Sequence, residues 1–142
     1  SRDKASFIPG LTEKLEKSGR LVVVHGERLP GVFEGRLSFR FTSGHTPGHM
    51  HTIFKGDEST VFFCGDLIPG LAWVHLPITM GYDRFPEQLI DEKQSLYKLA
   101  VPEKWWLFYT HDPKNSISHV IRNDTGKFEP TDIQPTWVRH SI

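Results

Sequence analysis

A chain of 142 residues with a single cysteine, Cys64, forms no internal disulfide. That fits a reducing compartment, and a cytoplasmic location is expected. Cys64 closes the apolar run Val61-Phe62-Phe63-Cys64, where burial raises a thiol pKa. It reads as a small core residue and not as a nucleophile. A surplus of one charge is also missing, because Lys+Arg and Asp+Glu each number 17. No basic excess therefore points to a nucleic acid or an anionic membrane as partner. No apolar run approaches the ~20 residues of a membrane-spanning helix. The opening Ser1-Arg2-Asp3-Lys4 is too charged for a signal-peptide core. Methionine is absent from the first position, a start that suits a fragment, a processed chain or a cloning remnant alike. Internal repeats and low-complexity linkers are absent too, so one α/β unit over residues 1–142 is expected.

What the sequence does have is a globular composition, with 24% charged and 12% aromatic residues, and eight histidines. A short helix is expected over residues 6–18, with Ile8, Leu11 and Leu15 on one face, Pro9 in the first turn and Gly19 at the stop. The β-branched run Leu21 to His25 reads as a strand. Leu37, Phe39 and Phe41 alternate with Ser38, Arg40 and Thr42, which marks a half-buried strand. Residues 43–49 form a loop rich in breakers. His51 to Lys55 and Thr60 to Cys64 flank Gly56-Asp57-Glu58-Ser59 as a hairpin. Residues 65–84 read as a long surface loop, a type of segment that is often functional. Pro86 opens a helix that runs to Ala100 and stops before Pro102. Trp105 to Tyr109 reads as a strand. One or two short strands are expected around His119-Val120-Ile121 and Lys127-Phe128-Glu129.

Three segments carry chemistry-capable side chains just past strand-like runs. In Gly44-His45-Thr46-Pro47-Gly48-His49, Pro47 and Gly48 rule out a regular helix, so the imidazoles sit on a constrained loop. In Phe62-Phe63-Cys64-Gly65-Asp66 an apolar strand delivers a carboxylate, and in Phe108-Tyr109-Thr110-His111 another delivers an imidazole. Each alone reads equally as a polar loop residue or a turn-forming aspartate. Together, two imidazoles and one carboxylate suit zinc, iron or manganese, provided the strands share a sheet.

The segments Thr42 to His49, Cys64-Gly65-Asp66 and Tyr109-Thr110-His111, in this order, resemble the later metal-binding motifs of the metallo-β-lactamase superfamily. Gly65-Asp66-Leu67-Ile68-Pro69, His75-Leu76-Pro77, Met80-Gly81-Tyr82-Asp83 and Asp91-Glu92-Lys93 look like the branch that holds N-acyl-homoserine lactonases and related ester or organophosphate hydrolases. The resemblance spans Ser6 to about Pro113. It implies an α/β (α+β) fold that is the C-terminal half of the αββα sandwich, one mixed sheet with covering helices. It implies that His49 ligates a first metal, Asp66 bridges two, and His111 ligates the second. His45 would then support the ligands without being one. Tyr82 would face the substrate, and His75 would line its pocket. The implied cofactor is zinc, or another divalent metal such as iron or manganese, two per complete site.

One departure is large. The family's earlier His-x-His-x-Asp-His motif is absent, since His49-Met50-His51 is followed by Ile53 and Phe54 where the aspartate and histidine should stand. The expectation is a hydrolase part that attacks a lactone or ester with metal-activated hydroxide, and that is inactive unless an N-terminal half completes it. Trp73, Leu76 and Phe85 suggest an apolar pocket rim. The expected partners are a small-molecule substrate and either the missing half or a second copy, a homo-oligomer, which would cover a bare apolar sheet face. The alternatives are a non-catalytic binding module with a degenerate metal site, and a single-metal redox protein using two histidines and a carboxylate.

Overall fold

The computed structural model describes residues 8–27 and 33–136. Six strands form one sheet in the order β1-β2-β3-β4-β5-β6. They are β1 (Leu37–Thr42), β2 (His49–Lys55), β3 (Thr60–Phe63), β4 (Trp106–Phe108), β5 (Ile117–Arg122) and β6 (Phe128–Gln134). All neighbours are antiparallel except β3 and β4, which are parallel. Parallel neighbours need a long crossover. Residues 65–85 and helix α2 (Pro86–Ala100) supply it. One mixed sheet with covering helices is the architecture expected from the sequence.

The crossover fills one face of the sheet. Phe62, Leu107 and Val120 point there by register. They form a core with Leu67, Ile68 and Val74 of the crossover loop and with Leu89, Leu96, Tyr97 and Ala100 of α2. Cys64 lies in the same core, free and fully buried, and burial pushes its thiol pKa up. The loop over residues 65–84 is therefore only partly a surface loop. Its apolar residues are core, and its polar ones emerge at the rim.

The opposite face is differently composed. Phe41 and Met50 face each other across β1 and β2, and Phe63 lies opposite Phe108, with the two rings stacked at 5.9 Å. Phe41, Met50, Phe63 and Ile121 remain 45%, 46%, 38% and 39% exposed. Among the described residues, no helix covers this row.

Helix α1 (Leu11–Lys17) is shorter than the span 6–18, whose first two residues lie outside the described residues. Gly10, in the left-handed region at φ 72°, precedes it, and Gly19, at φ 67°, follows its cap. The β-branched run Leu21 to His25 forms no strand. Val22 and Val23 are 67% and 60% exposed, and the bond that the outer strand β1 makes towards this segment, from Phe39 N, goes to the Glu27 carbonyl beyond the run.

Gly44 shows how tightly the breaker loop is seated on α2. A Cβ there would lie 2.5 Å from the Cα and N of Leu89, which are backbone and cannot step aside. The Gly44 carbonyl accepts from Phe85 N, and Glu92 accepts from the amides of Ser43 and Gly44. Gly44→Ala is expected to cost about 2–3 kcal/mol by overpacking. Urea unfolding reads this, and a loss below about 0.5 kcal/mol would show that the loop yields freely.

Candidate metal-site rim

The sheet's connectivity assembles the site. Because β3 and β4 are parallel and Phe63 pairs with Phe108, Asp66 and His111 each stand three residues beyond paired positions. β2 runs antiparallel to β3, so the start of β2 and the turn before it open at the same end. Side chains from three segments thus reach one rim, where open α/β sheets collect ligands.

Asp66 is the centre of this group. Its Oδ1 lies 2.9 Å from His111 Nε2, and its Oδ2 lies 3.4 Å from His45 Nε2. The carboxylate side chain is 32% exposed. Thr110 Oγ1 donates to the Gly65 carbonyl and His111 N to the Pro69 carbonyl, which tie the two strand ends together. His45 is oriented from behind. Its Nδ1 pairs with the buried Asp83 at 2.8 Å, and Asp83 also accepts from Met80 N. A carboxylate that grips one ring nitrogen fixes the tautomer and leaves the other aimed at the rim.

His49 stands beside His45, with ring centroids 5.6 Å apart. Its Nδ1 is buried without a hydrogen-bond partner. Gly65 makes its position possible, since a Cβ there would lie 2.5 Å from His49 Nε2, and the residue has φ +50°. Burial lowers the His49 pKa, opposed by the nearby Asp66 carboxylate.

Of the residues singled out from sequence, His49, Asp66, His111 and His45 share this rim. The Tyr82 ring lies 5.9 Å from that of His45 and is 61% exposed, so it flanks the group. His75 is placed otherwise. Its carbonyl is held by Lys93, and among the described residues its imidazole has no hydrogen bond, ion pair or ring contact with the Asp66 group.

Three supporting residues escaped sequence reasoning. Asp83 and Glu92 lie in segments that resemble the family's, but only the fold aims them at the loop. His51 had a subtler signal, its i, i+2 spacing from His49 on one strand face. It is fully buried, its ring 4.3 Å from that of His49 and stacked on Phe62, and its Nε2 pairs with Thr42 Oγ1 at 2.8 Å. Burial, then the neighbouring His49, lowers its pKa from 6.5 to about 4. Between those values the unfolded chain holds the proton and the folded chain does not. The contribution of His51 is therefore complete above pH 6.5 and is lost as the pH falls towards 4, a change of roughly 3 kcal/mol. Urea midpoints at pH 7 and 4.5 are expected to differ accordingly, with a smaller difference in His51→Gln. An equal pH dependence in both proteins would remove His51 as the cause.

The donor types suit zinc or a related divalent metal, and the unpartnered Nδ1 of His49 and the Gly65 cradle are consistent with ligation. In number they fall short. Among the described residues, no group of three or more His, Cys, Asp or Glu side chains could hold a metal ion. Among the described residues these side chains form no closed donor set.

The family model for the metallo-beta-lactamase superfamily matches residues 4–111. The chain belongs to that superfamily. Solved structures carry the same fold. A probable metal-dependent hydrolase from Staphylococcus aureus superposes with TM-score 0.69 at 19% identity, over 87% of this chain and 42% of its own. The hydrolase AbOPH, of the beta-lactamase superfamily, gives TM-score 0.69 at 18% identity, over 89% and 42%. AidC, a dizinc quorum-quenching lactonase, gives 0.68 at 19%, over 98% and 46%. At such identities the likeness speaks for the fold. The chain spans less than half the length of each of these proteins. No curated protein matches it significantly. Among the described residues, no helix is long and apolar enough to cross a membrane.

Proposed function

We propose that this chain supplies the second half of a metal-dependent hydrolase site, with Asp66, His49 and His111 as its donors and His45 as their support. The observation that carries the reading is the convergence on Asp66 of imidazoles from two other segments. A divalent metal bound there would supply Lewis acidity for attack on a lactone or ester. The chain's own residues do the positioning. Asp83 holds His45, His45 and His111 hold the two oxygens of Asp66, and Glu92 fixes the loop that carries both His45 and His49. Tyr82, exposed beside His45, is placed to meet a substrate. The remaining donors come from a polypeptide with the missing His-x-His-x-Asp-His motif. That polypeptide would also cover the apolar row of Phe41, Met50, Phe63 and Ile121. A row of this kind exposed to water drives association.

Metal analysis of the chain alone and mixed with such a half tests the proposal. Alone, the chain is expected to retain less than one equivalent of zinc, weakly. The mixture is expected to retain two and to hydrolyse an aryl ester or acyl lactone. Two tightly held equivalents in the chain alone would refute it. The lack of a three-donor group among the described residues favours a second reading, a binding module without chemistry. A mixture that associates but holds no metal would establish that reading instead.

A further inference from the structure

A cavity of about 370 Å³ opens between the C-terminal half of α2, Leu76 of the crossover loop and the β5–β6 hairpin. Leu76, Tyr97, Val101 and Phe128 give it apolar walls. The Tyr97 hydroxyl is already committed to the Val74 carbonyl, and its ring packs 4.7 Å from that of Phe128. Among the described residues, the charged side chains that line the cavity are Lys98 and Arg122, both cations. Among the described residues, no carboxylate forms an ion pair with either.

Arg122 is held in place. Its Nε donates to the Gly126 carbonyl at 3.1 Å, and its guanidinium carbon lies 6.0 Å from the Phe128 ring centroid. A Cβ at Gly126 would stand 3.3 Å from Arg122 Nη2, so the glycine admits the guanidinium. A guanidinium fixed through Nε presents its outer nitrogens as a planar donor pair, a geometry that matches a carboxylate. A pocket with apolar walls and a few convergent polar groups is the usual form of a small-ligand site. None of its lining residues belongs to the Asp66 group.

We propose that this cavity binds a small organic carboxylate with an apolar body. The carboxylate meets Arg122 and Lys98, and the body lies on Leu76, Val101 and Phe128. The inference stands independently of the hydrolase reading, because no metal and no partner half enter it.

Titration of the 142-residue chain with octanoate, 1-octanol and acetate, followed by amide NMR shifts, tests it. Octanoate is expected to shift Leu76, Val101 and Gly126 and to bind about tenfold more tightly than octanol or acetate. Lys98→Gln, on the exposed face of α2, is expected to weaken octanoate about threefold and to leave octanol unchanged. Arg122→Gln is expected to weaken it more. If the hairpin loosens in that variant, Lys98→Gln still decides. Equal affinities for octanoate and octanol, an unchanged affinity in Lys98→Gln, or shifts confined to the apolar row around Phe41 and Phe63 would each overturn the proposal.

Discussion

Lys93→Met is expected to destabilise the protein by about 2–4 kcal/mol. Lys93 is fully buried, and its Nζ donates to the carbonyls of His75, Leu76 and Ile78 at 2.9, 3.1 and 3.0 Å. Burial lowers its pKa to about 8, with Asp83 opposing the shift. At neutral pH the group is therefore still an ammonium, and its three protons meet three acceptors. Methionine keeps most of the volume and removes all three donors. The His75 carbonyl keeps the Ile78 amide as a donor, so the loss falls on the part-buried carbonyls of Leu76 and Ile78. A carbonyl left unmet costs about 1–3 kcal/mol, and relief from burying the charge returns part of that. The balance is a large share of a total stability of roughly 5–15 kcal/mol.

The same replacement is expected to loosen residues 75–78 and, through Asp83, the grip on His45. Urea midpoints give the stability, and hydrogen exchange at residues 75–83 gives the local effect. A loss under about 1 kcal/mol would show that Val74 and Leu76 hold the loop by packing alone.

If the proposed hydrolase is completed as described, Asp66→Asn is expected to lower its kcat/KM by roughly a thousandfold or more, while leaving stability within about 1 kcal/mol. The small stability effect follows from exposure, since the carboxylate side chain is 32% accessible and its partners sit at the same open rim. The large activity effect follows from position. Both oxygens are engaged by imidazoles from other segments, and asparagine replaces one oxygen by a group that donates and carries no charge. Retained zinc stoichiometry together with near-normal activity would remove Asp66 from the centre of the proposed site. Loss of activity through unfolding would appear as a shifted urea midpoint, which separates the two causes.

Much of this could be read along the chain because the signals are local. Alternation of Leu37, Phe39 and Phe41 marked β1, and Pro86 with Pro102 bounded α2. Both depend on neighbours within a few residues. The run Leu21 to His25 misled for the complementary reason, since a strand needs an edge to pair with and β-propensity does not supply one. The loop over residues 65–84 was legible as irregular but not as buried. Whether Leu67, Ile68 and Val74 face water depends on α2 lying over them. At the site, His49, Asp66 and His111 were legible as strand-end residues. The roles of Asp83, Glu92 and His51 were not, because each acts on a group between 9 and 49 residues away.

Taken alone, the sequence determined the helix and strand positions with strong local patterns, the family, the strand-end positions of the candidate donor residues and the absence of the earlier histidine motif. Tertiary structure decided what those donors meet. The parallel pairing of β3 with β4 brings the strand ends before Asp66 and His111 to one edge, and the long crossover makes that pairing possible. It also turned one sheet face into a core and left Phe41, Met50, Phe63 and Ile121 exposed on the other. Strand register and the side on which a crossover packs are properties of contacts between distant segments, and local patterns do not encode them.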